Sequence, residues 1–329
     1  MKNLIYCLAL CTILFSCKKD FNSNPGVTEG PKFEVVFNLA EFSSKVSSLA
    51  KDDEIGDAPL SEHADFLTYI AYNSAGNEVS RIKQDLTTGN ATRINNPAVF
   101  PDREVEQFAG PQTFGCIRDS LESGEYTVVI VASKKEFSIN NRNNEVLEHG
   151  FLPLSEASFY YNRGLDSRSR AEDTFFKKFK ITVSADDIQQ NVVLDRIVGK
   201  AEIKILDSRP GTTYKFLFVN ENEAYRFSTE QPFGATDDID METSLPTITG
   251  TANLLYSNFL INTQTPVDVI INVYEGGSLS ATKTVEGVRF YKNKRTILTG
   301  NIYSSGAATT GFSITVNDEF DADSVEVTF

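Results

Sequence analysis

The sequence predicts an all-β protein built as two tandem antiparallel β-sandwich domains with a few short helices. Three observations predict it. The 329 residues are about twice the usual size of one domain. About a dozen short segments carry a period-two alternation of apolar and polar residues, with turn residues between them. No amphipathic helix longer than about three turns separates those segments, and a parallel βαβ sheet requires such helices.

The segments follow in order. Phe33, Val35, Phe37 and Leu39 alternate with Glu34, Val36 and Asn38, as in a half-buried strand. Residues 66–72 and 79–83 flank Asn73-Ser74-Ala75-Gly76-Asn77, a hairpin signal. Residues 126–132 are continuously apolar, which predicts a strand covered on both faces. Phe175, Phe179, Ile181 and Val183 share one face, with Phe176, Lys178 and Lys180 on the other. Ser184-Ala185-Asp186-Asp187 predicts a short helical turn, with an N-cap hydroxyl and carboxylates favoured by the helix dipole. After Val192-Val193-Leu194 the period of two resumes at Ile197, Gly199, Ala201, Ile203 and Ile205. It returns in residues 214–219, 267–274, 285–291, 296–303, 312–316 and 325–329. Residues 91–123 read as an irregular insertion, and a domain boundary near Asn191 divides residues 32–190 from 191–329. Phe37, Ile130, Phe179, Ile203, Phe218, Ile271 and Phe290 are the expected core. No tandem repeat of 20 to 50 residues is present in the sequence, which argues against a solenoid or propeller.

The start of the chain reads differently. Met1-Lys2-Asn3 supplies a positive end, and residues 4–15 form an apolar run too short to span a bilayer comfortably. Residues 1–16 are therefore expected to be a signal peptide. Leu14-Phe15-Ser16-Cys17 looks like a bacterial lipobox, which implies cleavage before Cys17 and acylation of its thiol and new amino group. Three acyl chains, at about 0.8 kcal/mol per buried methylene, would hold the protein at a membrane. Residues 17–31, rich in Asn, Ser, Pro and Gly, are then a lipidated flexible tether.

Composition restricts the chemistry. With 31 basic and 45 acidic residues the net charge is −14, so nucleic acid and anionic lipid head groups are poor partners. There are two His, four Cys and no Trp. Cys7 and Cys11 leave with the signal and Cys17 is acylated, so Cys116 remains alone and no internal disulfide is expected. Ile117 and Leu121 beside it are one helical turn apart, and with only His63 and His149 to activate a thiol, Cys116 reads as a small buried apolar residue. Metalloprotease, nucleophile-elbow, phosphate-loop and zinc-spacing motifs are missing from the sequence. Glu319, Asp321 and Asp323 alternate as in a calcium loop, but the glycine and the twelfth ligand such a loop needs do not follow; a solvated turn is the better reading, as for Asp237-Asp238-Ile239-Asp240. A glycosidase carboxylate pair stays open in so acidic a chain, although the lack of Trp weakens it. Tyr160 and Tyr161 read as strand-end packing rather than a sugar platform, and Arg163, Arg168 and Arg170 among Asp166, Glu172 and Asp173 as a mixed-charge exposed loop. No catalytic residue, cofactor or metal site is expected.

Residues 193–205, with Asp195-Arg196 and Gly199-Lys200-Ala201-Glu202-Ile203, residues 290–303 and the ending 312–329 together resemble the fimbrillin superfamily of Bacteroidetes, in particular its anchor lipoproteins of the FimB/Mfa type. The resemblance implies two transthyretin-like Greek-key sandwiches and no enzymatic activity. It further implies export as a lipoprotein held by Cys17 at the outer membrane, and fimbrial subunits as partners through strand exchange. Lys18-Lys19-Asp20 resembles the signals that send such lipoproteins to the cell surface. Within that frame Val325, Val327 and Phe329 form a candidate exchange strand, which serves as donor, as self-closure or as an ordinary edge strand. Stalk subunits of the resembling family lose their first strand by cleavage, often after an arginine. Here the first arginine is Arg81, and only Lys45 and Lys51 lie between Leu39 and Phe66. The expectation is an anchor or accessory subunit of surface fimbriae that keeps residues 33–39 in its own sheet. A glycan-binding surface lipoprotein of a nutrient-uptake system and a cell-surface hydrolase are the alternatives.

Overall fold

The structure, a computed structural model, describes residues 30–39, 60–94, 105–108, 112–140, 151–161, 171–235, 254–303 and 312–317. The first half contributes β1 (Lys32–Asn38), a single helical turn α1 (Leu60–His63), β2 (Phe66–Asn73), β3 (Glu78–Asp85), β4 (Asn90–Ile94), β5 (Val105–Gln107), β6 (Cys116–Glu122), β7 (Gly124–Ser133), β8 (Phe137–Ile139), β9 (Ser158–Tyr161), β10 (Thr174–Val183), β11 (Ile188–Asn191) and β12 (Asp195–Arg196). The second contributes β13 (Gly199–Ile205), β14 (Thr212–Val219), β15 (Asn222–Arg226), β16 (Gln231–Ala235), β17 (Leu254–Leu260), β18 (Val267–Glu275), β19 (Ser278–Val288), β20 (Arg295–Gly300) and β21 (Ser313–Asn317). The all-β class expected from the alternation is the one observed.

Each half packs two sheets around a core. The first sets the three-stranded sheet β11-β1-β6 against the seven-stranded β12-β10-β7-β2-β3-β4-β5; the second sets β17-β13-β20-β21 against β14-β18-β19. The two halves repeat one topology. In the first, β1 pairs antiparallel with β6 and parallel with β11, while β7 joins β2 to β10. In the second, β13 pairs antiparallel with β17 and parallel with β20, while β18 joins β14 to β19. This repeat leaves no tandem signal in the sequence because a strand needs only alternation of burial, which many residue choices satisfy. The two parallel pairs are the departures from an antiparallel pattern.

Burial follows the alternation. Phe37, Ile130, Ile203, Phe218, Ile271 and Phe290 are buried, and Phe179 is half-buried, its ring edge-on to Phe37 at 5.4 Å. Strand β7 is apolar from Val128 to Ala132 because Val128, Ile130 and Ala132 enter the first core while Val129 and Val131 enter another on its opposite face. That further core draws on both halves, from Ile70, Tyr72 and Phe176 to Tyr225, Phe227 and Ile261. Over it lies a fifth sheet, β16-β15-β9-β8, in which strands of both halves pair directly.

Four local expectations are corrected. Residues 184–187 form a bend leading into β11, not a helical turn, and the Asp187 carboxylate expected in a first turn instead accepts the Glu34 amide of β1 at 3.1 Å. Residues 91–123 are not one irregular insertion, since they include β4, β5 and β6. In β6 Ile117, Asp119 and Leu121 point inward with the period of a strand; the charge at Asp119 interrupts the apolar alternation and leaves the 117/121 spacing to suggest a helix. Arg93 pairs with that buried carboxylate at 3.0 Å. Cys116 is free and half-buried, so the fully buried position expected for it is not the one observed.

Candidate functional site

The edges of a sheet are where its backbone groups can be left unpaired, so the occupancy of each edge is the first geometry of interest. Strand β1 lies in the middle of its sheet, with Phe33 opposite Leu121 and Phe37 opposite Ile117 on one side, and Val35 beside Ile188 on the other. Val35, Phe37 and Leu39 are buried, each contributing about 2 kcal/mol by leaving water. The Leu39 amide donates to the Gly115 carbonyl at 2.7 Å. Removing β1 would therefore open a groove through the first core.

The outer edge of β6 is closed by side chains. The carbonyls of Cys116, Arg118 and Glu122 accept from Gln84 Nε2 at 2.8 Å, Arg93 Nη2 at 3.3 Å and the Tyr126 hydroxyl at 2.9 Å. The Ser120 amide donates to Asp119 Oδ1 at 2.8 Å. An edge whose backbone groups are already bonded offers little to a foreign strand.

The edge at β21 has a different character. Leu298 of β20 lies opposite Ile314, and Thr296 opposite Val316. Directly opposed residues share a sheet face, and Leu298 belongs to the second core, so Ile314 and Val316 point to the core side. They are nevertheless 46% and 44% exposed, whereas Leu298 and Thr296 are fully buried. Phe312 starts this ledge and lies on Gly300, where an added Cβ would come within 2.7 Å of the ring. Among the described residues the second core thus ends at β21 in an exposed apolar row.

Polar contacts fasten the two halves together. Lys178 Nζ donates to the carbonyls of Phe227 at 3.0 Å and Ser228 at 2.8 Å and pairs with Glu230 at 3.0 Å. Arg196 makes two bonds to Asp173, at 2.7 and 2.8 Å, and a third to Asn293 Oδ1 at 3.1 Å. Phe159 of β9 stacks on Tyr225 of β15 with centroids 5.8 Å apart. Glu221, in the turn between β14 and β15, is fully buried; its Oε1 accepts the amides of Ile261 at 2.7 Å and Asn262 at 3.1 Å, while among the described residues Oε2 has no hydrogen-bond partner. Burial pushes its carboxyl up to about 8, against the pull of the backbone amides.

Tyr161 is buried and its hydroxyl donates to Thr174 Oγ1 at 2.9 Å, as strand-end packing requires. Tyr160 is half-buried, edge-on to Phe233 at 5.8 Å. Cys17, Val325, Val327, Phe329, His149 and the acidic turns at 237–240 and 318–323 lie outside the described residues. Among the described residues no group of three or more His, Cys, Asp or Glu side chains could hold a metal ion. No helix among them is long and apolar enough to cross a membrane. Sequence reasoning missed the joint and Glu221. The aromatic runs Phe159-Tyr160-Tyr161 and Tyr225-Arg226-Phe227 are the available signal for the joint.

No family model matches the chain, and no curated protein sequence matches it. Solved structures do. A candidate polysaccharide-binding protein from Bacteroides thetaiotaomicron is 10% identical, with a TM-score of 0.50 over 87% of this chain and 96% of its own. A candidate adhesin from Bacteroides ovatus is 13% identical, with a TM-score of 0.49 over 88% and 94%. The fimbrial anchor protein Mfa2 from Porphyromonas gingivalis is 11% identical, with a TM-score of 0.48 over 87% and 98%. At such identity the likeness is one of fold, and it reaches almost the full length of each of these proteins.

Proposed function

We propose that the protein is an exported lipoprotein, held at the outer membrane through Cys17, that serves as an anchor or accessory structural subunit of surface fimbriae, with residues 32–190 and 191–329 as its two domains. The observation that carries this reading is the place of β1. It is paired on both sides and buried on its core face, so it completes the first sandwich, and it lies close behind the tether that joins the body to Cys17. Cutting it away would open the core and release the lipid together. An anchor must keep both, and the lack of any arginine before Arg81 agrees with that. The Porphyromonas protein of similar fold is described as a fimbrial anchor. Partner subunits then meet the chain at its remaining edges by strand addition. Cys17→Ala is expected to move the protein out of the membrane fraction and to leave it missing from fibres that stay attached to cells; unchanged membrane retention contradicts the reading.

One observation favours a second reading, a glycan-binding surface lipoprotein. The half-buried Tyr160 and Phe233 lie together with the Arg226 guanidinium 4.4 Å over the Phe233 ring, and the Bacteroides thetaiotaomicron protein of similar fold is described as a candidate polysaccharide binder. Saturable polysaccharide binding that is lost in Tyr160→Ala supports that reading over the first.

A further inference from the structure

The two halves repeat one topology, and the repeat breaks off at one place. Strands β1 and β13 each lie between an antiparallel neighbour, β6 or β17, and a parallel one, β11 or β20. In the second half β20 carries a further strand on its far side, the antiparallel β21. In the first half no strand follows β11 among the described residues, and the sheet ends there. Burial reflects the difference. Thr296 and Leu298 of β20, which lies between two strands, are fully buried. In β11 Ile188 is half-buried, and Gln189, Gln190 and Asn191 are exposed. Ile188 and Phe179 both belong to the partly buried margin of the first core, and Phe179 lies edge-on to Phe37, the Cα partner of Gln190.

The backbone of β11 is oriented to match. The Val192 amide donates to the Asn38 carbonyl at 3.1 Å, and Asn38 lies beside Asn191. Successive residues of a strand turn their N–H and C=O alternately to either side. Ile188 and Gln190 therefore bond towards β1, while Gln189 and Asn191 direct theirs to the open side. Other edges are protected. The outer carbonyls of β6 are taken by Gln84, Arg93 and Tyr126. Strand β19 is interrupted by register shifts and places Lys283 opposite Ile271, on the core side, an inward charge that discourages pairing. Strand β11, Ile-Gln-Gln-Asn in continuous register with β1, has no charge, proline or bulge.

We propose that the β11 edge accepts an extended segment of a neighbouring fibre subunit, added antiparallel to β11 as β21 is added to β20. The chemistry of the occupant follows from β21, a strand of 5 residues whose core-side positions are Ile314 and Val316. The incoming segment is of that length and alternates β-branched apolar with polar residues. Its apolar side chains cover Ile188 and Phe179, and its backbone bonds Gln189 and Asn191. The proposal rests on the reading of this chain as a fimbrial anchor or accessory subunit and specifies the edge that meets the partner. Because β1 stays between β6 and β11, this edge is open to a partner without loss of β1 or of the lipid.

The test uses the full-length protein carrying Gln189→Pro or Asn191→Pro, in cells that assemble the fibres. Proline lacks the outward N–H and is tolerated where an edge strand turns that N–H to solvent. Both variants should therefore remain folded in the membrane fraction and melt close to the parent, whereas Gln190→Pro removes a donor to β1 and should melt lower. Recovery of Gln189→Pro and Asn191→Pro with isolated fibres should fall by about tenfold. Hydrogen exchange, read amide by amide by mass spectrometry on the unsubstituted protein, gives a second measurement. In the protein extracted alone, the Gln189 and Asn191 amides should exchange fast and those of Gln190 and Val192 slowly; in fibres all four should be slow. Undiminished recovery of both folded variants with fibres overturns the proposal and leaves the anchor reading standing. Slow exchange at Gln189 and Asn191 in the isolated protein means that this chain occupies its own edge, and overturns the proposal as well. A parent protein that is never recovered with fibres removes the anchor reading and this occupant together.

Discussion

Replacing Glu221 by Gln is expected to flatten the dependence of stability on pH. In the folded protein the carboxyl is pushed up to about 8 by burial, against an ordinary value of 4.5 when the chain unfolds. A group raised in this way favours the fold in its neutral form. Its contribution is fully present below about 4.5, is lost progressively as pH rises to about 8, and changes no further above that. The span from 4.5 to about 8, at about 1.4 kcal/mol per pH unit, corresponds to roughly 5 kcal/mol as an upper bound. Glu78 is also raised, chiefly by burial and opposed by Arg81, so some slope of the same sign should survive the substitution. Gln keeps an oxygen for the Ile261 and Asn262 amides and does not ionise, and the slope rather than the absolute stability is the quantity to compare. With no Trp in the chain, urea unfolding followed by far-UV circular dichroism at pH 5, 6.5 and 8 is the suitable assay. Glu221→Gln should lose less stability than the parent across that range, by several kcal/mol. Equal slopes in the two proteins would refute the assignment of a buried, proton-binding carboxyl to Glu221.

Two further substitutions probe the packing. Ile203→Asp or Ile271→Asp places an unpaired charge at a fully buried position of the second core, costing several kcal/mol, and should abolish soluble expression; either mutant as stable as its parent would show the strand register to be wrong. Arg196→Ala leaves Asp173 without its two charge-assisted bonds and Asn293 without one, so it should cost about 3–5 kcal/mol and increase proteolysis between the halves, with native-state proteolysis as the readout.

What the sequence conveys is the alternation of burial. Strands with one apolar face, such as β1, β13 and β18, are legible residue by residue because a sustained period of two fits a half-buried strand and does not fit a helix. Strand β6 is obscured by Asp119, an inward carboxylate whose partner Arg93 is 26 residues away and belongs to another strand. The bend at 184–187 imitates a helix start because Ser184 and the carboxylates after it suit a first turn, whereas the Asp187 carboxylate instead bonds an amide 153 residues distant. The joint is hidden for a related reason. Strands β8, β9, β15 and β16 are short, β9 pairs with β15 across the two halves, and pairing between distant segments leaves no local mark in a single sequence. Among the candidate site residues, those of the groove strand β1 are legible in the alternation, while the exposure of Ile314 and Val316 emerges only from the register of β20 against β21.

The central claim is that this chain keeps its first strand and its lipid together while it is part of a fibre, and the intact mass of the protein recovered from native surface fibres tests it most directly. A mass that begins at acylated Cys17 and includes β1 is the result expected of an anchor or accessory subunit. A mass that begins beyond Leu39, without lipid, would make the chain a stalk subunit and contradict the account.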